Sequence, residues 1–273
     1  MSGSEKRRQE IIDKEIGSIG KKVFLVEGED DVECYKRIFE KQFGIDFETK
    51  LLITHTGGKE KLTDILAKEP DWLGLIDRDE WTDDIIRQKE RELPNLHILP
   101  RFCLESYLIE PNELWKLLPE VQQKKISGGI EELKNQIYAK KTEWLRHGVL
   151  WSVVNPLWNG LRTIGFKEYL LKIDNAQDDK VIREKLKEWH NFLDSGKIFS
   201  DFQDKLNQAS RKTEFEQLTI RIHGKQFFEQ HISQALNHLL KGKQVEAKDR
   251  KRILFRNMNP PADFEPLFAK ISI

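Results

Sequence analysis

The chain has 273 residues, of which 38% are hydrophobic and 34% charged, and its 46 Lys and Arg balance 46 Asp and Glu. Seven Trp and fifteen Phe can fill a globular core of one large or two modest domains, and the two cysteines exclude a disulfide framework or a zinc site. No apolar run approaches the roughly 20 residues that span a bilayer. Residues 1–10 have no apolar signal-peptide core, so we expect a cytoplasmic protein with no membrane partner.

Strand and helix patterns alternate along the first half of the chain. Short apolar runs predict four strands, at 23–26, 50–54, 72–76 and 96–99. Helical spacing of apolar residues predicts three helices between them, from Val32 to a stop at Gly44, at 59–68 and at 82–92. Strands and helices that alternate at this spacing predict βαβ units and a parallel sheet.

The pattern changes after Pro100. Two short helices are predicted around Pro111, with Asn112 as a candidate N-cap. Amphipathic helices follow, at 129–145, 166–173, 178–193, 198–208 and 225–241. The expected fold is α/β, with a helical extension at residues 1–20, a mostly parallel sheet flanked by helices at 21–119, and a mainly helical C-terminal domain at 120–273.

Charge is distributed unevenly between the two halves. Residues 1–119 hold 19 Lys and Arg against 26 Asp and Glu, a net charge of −7, and residues 120–273 hold 27 against 20, a net charge of +7. An acidic half is suited to hold cations, and a basic half to hold an anionic polymer such as DNA or RNA. Chance asymmetry between two halves of a protein explains the same numbers.

Acidic residues follow two of the predicted strands. Glu27 comes directly after the first strand, and Asp77 and Asp79 follow the third. Residues two apart on extended chain point to the same side, so Asp77 and Asp79 should face one crevice. Because ligands of an open parallel sheet bind outside the carboxyl ends of its strands, Glu27 should face the same crevice, with Asp31 about one helical turn beyond Glu27. Ionised carboxylates repel one another in a partly dry crevice, and a divalent cation such as Mg²⁺ relieves that repulsion.

The acids at the start of the first predicted helix have an alternative interpretation as helix caps. Acidic residues at a helix N-terminus contribute about 0.3–1 kcal/mol each. Capping accounts for Glu29 and Asp30, but not for Glu27, which precedes the turn. Asp31 fits either interpretation. Arg78, between the two later aspartates, should point away from the crevice and pair with an acid.

Two motifs resemble a known family. The sequence "FLVEGEDD" (24–31) followed by "GLIDRDE" (74–80) resembles the TOPRIM domain of topoisomerases, primases and OLD-type nucleases, which has Glu after its first strand and Asp-x-Asp after its third. The match covers residues 21–118. The segment "LPRFCLESYLIEP" (99–111), the "GGK" between the two motifs and "RIHGKQFF" (221–228) resemble standalone TOPRIM effectors of bacterial anti-phage defence, such as those of the PARIS system.

This resemblance implies a Mg²⁺-dependent endonuclease, with Mn²⁺ as a substitute, that hydrolyses phosphodiester bonds of DNA or RNA, including tRNA. It also implies a toxic defence effector, a partner ATPase that senses the phage and a homodimer. The sequence "TGGKEK" is not a Walker A loop, so we expect no ATPase activity in this chain. The alternative is a TOPRIM-like module that binds nucleic acid or docks on an ATPase without cutting.

The resemblance assigns metal and catalytic roles to individual acids. Glu27, Asp77 and Asp79 match the core metal ligands. Asp31 matches an acid that helps to bind a second metal in OLD-type enzymes. Glu105, in "LESY", matches an acid of the defence group, either as a ligand or orienting group or as a buried polar residue paired with an Arg.

Basic residues supply candidates for phosphate binding. Lys59 follows two glycines at a predicted helix start, where backbone N–H groups favour a phosphate, although a simple glycine turn fits equally. Lys225 is a candidate catalytic cation that stabilises transition-state charge, or a solvated lysine. The tract 241–258 holds seven Lys and Arg against two acids and suits either phosphate binding or a solvated, partner-docking surface. Its candidate phosphate contacts are Lys248, Arg250, Lys251, Arg252 and Arg256.

Overall fold

Four parallel strands form a sheet that brings separate chain segments to one edge. They are β1 (Lys22–Val26), β2 (Leu51–His55), β3 (Leu73–Ile76) and β4 (Leu96–Ile98), in the order β2-β1-β3-β4. Val26 lies opposite His55 on one side and Leu75 on the other. The computed structural model describes residues 2–17 and 20–271. The predicted α/β fold with a parallel sheet is confirmed, and each predicted strand agrees with the structure to one residue at either end.

Helices flank the sheet and form the rest of the chain. The α-helices are α1 (Gly3–Glu10), α2 (Glu29–Phe43), α3 (Lys59–Leu66), α4 (Asp83–Glu92), α5 (Pro111–Leu117), α6 (Glu120–Gln123), α7 (Gly129–Tyr138), α8 (Lys141–Thr163), α9 (Ile173–Ala176), α10 (Asp179–Phe192), α11 (Ser195–Ser210), α12 (Glu214–Glu216), α13 (Gly224–Phe227), α14 (Ser233–Leu240), α15 (Ala247–Asn257) and α16 (Glu265–Phe268). The 3₁₀ turns are Phe47–Thr49, Leu104–Leu108 and Ala262–Phe264, and the π-helical turns are Ile11–Glu15, Gln217–Arg221 and Phe228–Ile232.

The chain divides into two compact units. Unit 1 consists of residues 1–139 and 224–273, and unit 2 of residues 140–223. This division differs from the predicted boundary between residues 119 and 120, because α15 packs against α2 and α16 contributes Phe268 to the core of unit 1. The last part of the chain therefore completes the unit that contains the sheet.

Different helices cover the two faces of the sheet. On one face, Val23 of β1 packs in a buried cluster with Leu62 of α3. On the other face, the ring centroid of Phe24 lies 4.8 Å from that of Phe39 in α2, which lies 5.5 Å from that of Phe268. Burial of both faces explains why β1 is continuously apolar instead of alternating.

Several helix boundaries differ from their predictions. The predicted helix at 129–145 is divided between α7 and α8, and α8 continues through Pro156, although proline lacks the N–H that a helix interior uses. The N-cap of α5 is Glu110, whose side chain accepts the backbone N–H of Glu113 at 2.7 Å, so the prediction of Asn112 is wrong. Helix α15 lies in the basic tract, for which no helix was predicted.

Unit 2 is helical. Helix α11 packs along α8. The segment 166–173, predicted as a helix, consists mainly of turns that lead into α9, so this prediction is wrong. Gly148 of α8 allows a close approach, because a Cβ there would lie 2.1 Å from the carbonyl oxygen of Arg221. Within residues 2–17 and 20–271, no helix combines the length and the apolar composition needed to cross a membrane.

Candidate active site

The carboxyl edge of the sheet brings two of the predicted acids together. Strands β1 and β3 are neighbours, but the chain leaves β1 for β2 on one side and returns to β3 on the other. Such a reversal of strand order forms a ligand-binding crevice in open parallel sheets. Glu27 follows β1 and Asp77 follows β3, and Oε1 of Glu27 accepts a hydrogen bond from the backbone N–H of Asp77 at 2.8 Å. The hydrogen bond holds the two residues in one crevice.

A glycine turn closes on the same point from β2. The backbone N–H groups of Gly57 and Gly58 donate to the carbonyl oxygen of Glu27 at 3.0 and 3.1 Å. Both glycines have positive φ, 78° and 135°, which side chains disfavour. Because these N–H groups are bonded to Glu27, they do not form the phosphate site predicted at Lys59. The turn instead places Lys59 at the first position of α3.

Lys59 is the counter-ion of Asp79. Its Nζ donates to Oδ2 of Asp79 at 2.6 Å and to the carbonyl oxygen of Asp77 at 2.8 Å, and lies 4.3 Å from the ring centroid of Trp81. Asp79 has φ of +52°, so it is not on extended chain, and its N–H donates to the carbonyl of Phe102 at 2.8 Å. The extended geometry predicted for Asp77 and Asp79 is therefore wrong, although both residues contact the same ammonium.

The two acids of the crevice resist ionisation. Burial raises the pKa of Glu27 from 4.5 to about 7, with a further increase from the charges of Asp79 and Asp31, while Lys59 acts in the opposite direction. Burial and the charges of Glu27 and Asp79 also raise the pKa of Asp77 well above its ordinary value. This behaviour is expected of carboxyl groups that share one poorly solvated crevice.

Asp31 and Glu105 form a second acidic group around Lys251 of α15. The Lys251 Nζ donates to Oδ1 of Asp31 at 2.9 Å and to Oε1 of Glu105 at 2.8 Å. Burial opposes the charge of Glu105, but the ammonium holds its pKa below the ordinary value, whereas burial raises the pKa of Asp31. Lys251 is itself buried. The prediction that Lys251 contacts nucleic acid is therefore wrong, and Glu105 is paired with a lysine instead of an arginine.

Two exposed lysines lie beside the acidic edge, which is the part of the carboxyl edge of the sheet that holds the two groups of acids. Lys225 on α13 and Lys248 on α15 are solvent-accessible, and the Nζ of Lys248 lies 2.5 Å from Oδ1 of Asp30. Lys248, with smaller effects from Lys251 and Lys225, holds the pKa of Asp30 below its ordinary value. Lys248 is therefore paired with an acid at this edge, and the charge of Lys225 acts more weakly on the same acid.

The arginines of the basic tract differ in exposure. Arg250 is buried and donates to the side-chain oxygen of Asn237, so the prediction that it binds phosphate is wrong. Arg252 is partly exposed, with Nη1 3.9 Å from Oδ1 of Asp249. Arg256 is exposed on α15. The tract is therefore an amphipathic helix whose buried face belongs to unit 1.

Two contacts of the edge were not predicted. The backbone N–H of Leu104 donates to Oδ1 of Asp77 at 3.2 Å. Gly224 lies against the 3₁₀ turn, since a Cβ there would lie 2.4 Å from Oγ of Ser106 and 2.9 Å from Sγ of Cys103. The glycine in "HGKQ" is a sequence signal for the second contact, whereas the first involves a backbone group that no residue type reveals.

The acids at this edge differ from the predicted set of metal ligands. Within the described parts of the chain, no group of three or more His, Cys, Asp or Glu side chains is arranged to hold a metal ion. Three of the five predicted ligands are paired with lysines, which leaves Glu27 and Asp77. Mg²⁺ is often bound by one or two carboxylates, with water and substrate phosphates as further ligands. Glu27 and Asp77 therefore match the donor type of such a site, and the predicted set of five ligands is not assembled.

Comparisons with known proteins assign no family. No family model matches the chain, and no curated protein matches it. The class of protein is therefore defined by the structure alone, as an α/β protein with a four-stranded parallel sheet and two lysine-paired acidic groups beside it. A function has to be argued from the chemistry of that edge.

Proposed function

We propose that the chain is a metal-dependent nuclease of the TOPRIM class, which hydrolyses phosphodiester bonds of DNA or RNA. The observation that carries the proposal is the hydrogen bond between Glu27 and the backbone of Asp77 at the reversal of strand order. The resemblance of the sequence motifs supports a narrower role as a toxic effector of anti-phage defence, controlled by a partner ATPase. That narrower role rests on the motifs alone.

Glu27 and Asp77 would hold a Mg²⁺ or Mn²⁺ ion in this mechanism. When bound, the ion supplies Lewis-acid polarisation of the scissile phosphodiester. Oε1 of Glu27 is engaged by the Asp77 N–H, so Oε2 is the atom at which this carboxyl exchanges a proton or meets a ligand. Because the pKa of Glu27 is about 7, its proton must leave for the carboxylate to bind a cation, and binding should strengthen as the pH rises through neutrality.

Lysines orient the substrate around that pair. Lys59 holds Asp79 and the Asp77 carbonyl in place, and this fixes the loop after β3. Lys225 and Lys248 are exposed and would attract the phosphates of a nucleic-acid substrate. Lys225 is the candidate for stabilising negative charge in the transition state, since preorganised cations act strongly on developing charge.

A cleavage assay with matched variants tests the proposal. The full chain is incubated with plasmid DNA and with total tRNA in Mg²⁺ or Mn²⁺, beside Glu27→Gln, Asp77→Asn and the control Glu29→Gln. Glu29 is an exposed acid two residues from Glu27, so its variant should cut like the wild type. Loss of cleavage in Glu27→Gln and Asp77→Asn, but not in Glu29→Gln, supports the site. Cleavage that survives in both Glu27→Gln and Asp77→Asn excludes the site.

A second candidate function is a regulatory module that binds nucleic acid or an ATPase without cutting. It is favoured by the pairing of Asp79 with Lys59 and of Asp31 and Glu105 with Lys251, because acids that are already neutralised need no metal. The module should bind nucleic acid equally well in EDTA and in Mg²⁺. It should also bind equally well when Glu27 is replaced by Gln.

A further inference from the structure

The acidic edge is divided into two groups by its lysines. Lys59 neutralises Asp79 next to the Glu27–Asp77 pair, and Lys251 neutralises Asp31 and Glu105. We propose that Lys251 is a built-in, permanent cation for Asp31 and Glu105, so that the edge takes one divalent ion and not two. This inference rests on the proposed metal-dependent function and specifies its ion count.

The position of the Lys251 ammonium supports the proposal. Nζ lies 2.9 Å from Asp31 and 2.8 Å from Glu105, so it bridges the carboxylates as a shared metal ion would. A divalent ion needs oxygen ligands at about 2.0–2.6 Å, and a second cation so close to an ammonium would be strongly repelled. The ammonium and a metal ion at these two carboxylates therefore exclude one another.

The surroundings of Lys251 make that ammonium hard to displace. The side chains of Lys251 and Glu105 are 8% and 5% exposed. The flanking Arg250 is held by Asn237, and Leu254 and Phe255, about one turn further along α15, are buried. The ammonium cannot turn out to solvent without moving α15, which is packed against α2 of the same unit.

The contrast with Lys59 explains why one ion position remains. The side chains of Lys59 and Asp79 are 19% and 37% exposed, so solvent reaches this ion pair more than it reaches Lys251 and Glu105. Exposed ion pairs are weak, whereas separating a buried pair leaves an uncompensated charge. The Glu27–Asp77 side of the edge is therefore the place where a metal ion can enter.

The number of Mn²⁺ ions that the chain binds tests the proposed ion count directly. Mn²⁺ is titrated into the full chain and the free ion is followed by its electron paramagnetic resonance signal. The wild type should bind one ion, and Glu27→Gln should bind none. Lys251→Met, which keeps an unbranched side chain and removes the charge, should bind two ions. Lys251→Arg keeps the charge, and Lys248→Met changes an exposed lysine of the same helix, so both controls should bind one.

The outcomes separate this inference from the proposed function. A wild type that binds no Mn²⁺ refutes the metal-dependent function together with the inference. A wild type that binds two ions, or Lys251→Met that still binds one, overturns the inference alone. If Lys251→Met does not fold, the single substitution Asp31→Asn tests the inference instead. It should retain one ion with a Kd within about threefold of the wild type, and loss of an ion would overturn the proposal.

Discussion

Replacing Glu27 by Gln should stabilise the protein near neutral pH. The Gln amide oxygen can still accept the Asp77 N–H, so the substitution removes the charge and keeps the hydrogen bond. In the wild type, the folded state keeps the Glu27 proton up to a pKa of about 7, whereas the unfolded chain loses it near 4.5. The folded state therefore binds more protons than the unfolded state in this interval, and stability falls as the pH rises through it.

The size of the effect follows from the two pKa values. The interval from 4.5 to about 7, at about 1.4 kcal/mol per pKa unit, corresponds to about 3 kcal/mol of unfolding free energy lost above the folded pKa. Near about pH 5.5 the loss is smaller, about 1 kcal/mol. The Gln variant carries no such loss. Its unfolding free energy should therefore exceed that of the wild type by about 3 kcal/mol near about pH 8.

Urea denaturation at several pH values, without divalent ions, measures this difference. Glu29→Gln serves as the control, since it removes an exposed carboxyl from the same turn and should follow the wild type. Parallel pH profiles for the wild type and Glu27→Gln would refute the reasoning, because they would mean that the crevice does not disfavour the carboxylate. Saturating Mg²⁺ should stabilise the wild type above pH 7 and leave the Gln variant unchanged.

Three further substitutions test separate contacts. Lys59→Met should raise the pKa of Glu27 further, because the Lys59 charge is what lowers it, and should therefore move the onset of Mn²⁺ binding to higher pH in calorimetry. An unchanged pH dependence of binding would contradict this. Gly224→Ala should lower the urea-derived stability by about 1–3 kcal/mol, because the new methyl would lie 2.4 Å from Oγ of Ser106. Asn95→Ala should lower the unfolding free energy by about 1–3 kcal/mol in the same assay, because the two N–H groups of the Asn95 amide are shared among three backbone carbonyls before β3. An unchanged urea midpoint would contradict this.

The sheet and the Glu27–Asp77 pair could be predicted because they depend on local sequence pattern and on simple geometry. The apolar run at 23–26 indicated a strand buried on both faces, and parallel strands end at one edge, so Glu27 and Asp77 were expected to meet. Arg78 was expected to turn away from the crevice and pair with an acid. This prediction is confirmed, since Arg78 donates to Asp83 at 2.5 Å.

The cations of the site could not be predicted, because they depend on long-range packing. Lys251 contacts Glu105 across 146 residues of sequence, and nothing in the local sequence distinguishes it from the exposed Lys248. The basic tract suggested a solvated surface, whereas one face of α15 is buried against unit 1. The position of Asp79 was predicted wrongly for a local reason. Extended chain was expected after β3, whereas Asp79 has a left-handed backbone conformation.

The composition of unit 1 from two separate chain segments has a consequence for the order of synthesis. Residues 1–139 leave the ribosome first, and residues 140–223 follow before the segment that carries Lys251 and Phe268. Domains generally fold as units during synthesis, beginning at the N-terminus. The acids of the nascent first segment therefore have no Lys251 to pair with until translation has passed through the whole of unit 2. The assembled acidic edge exists only in chains translated to this point, and a ribosome that stalls earlier leaves it incomplete.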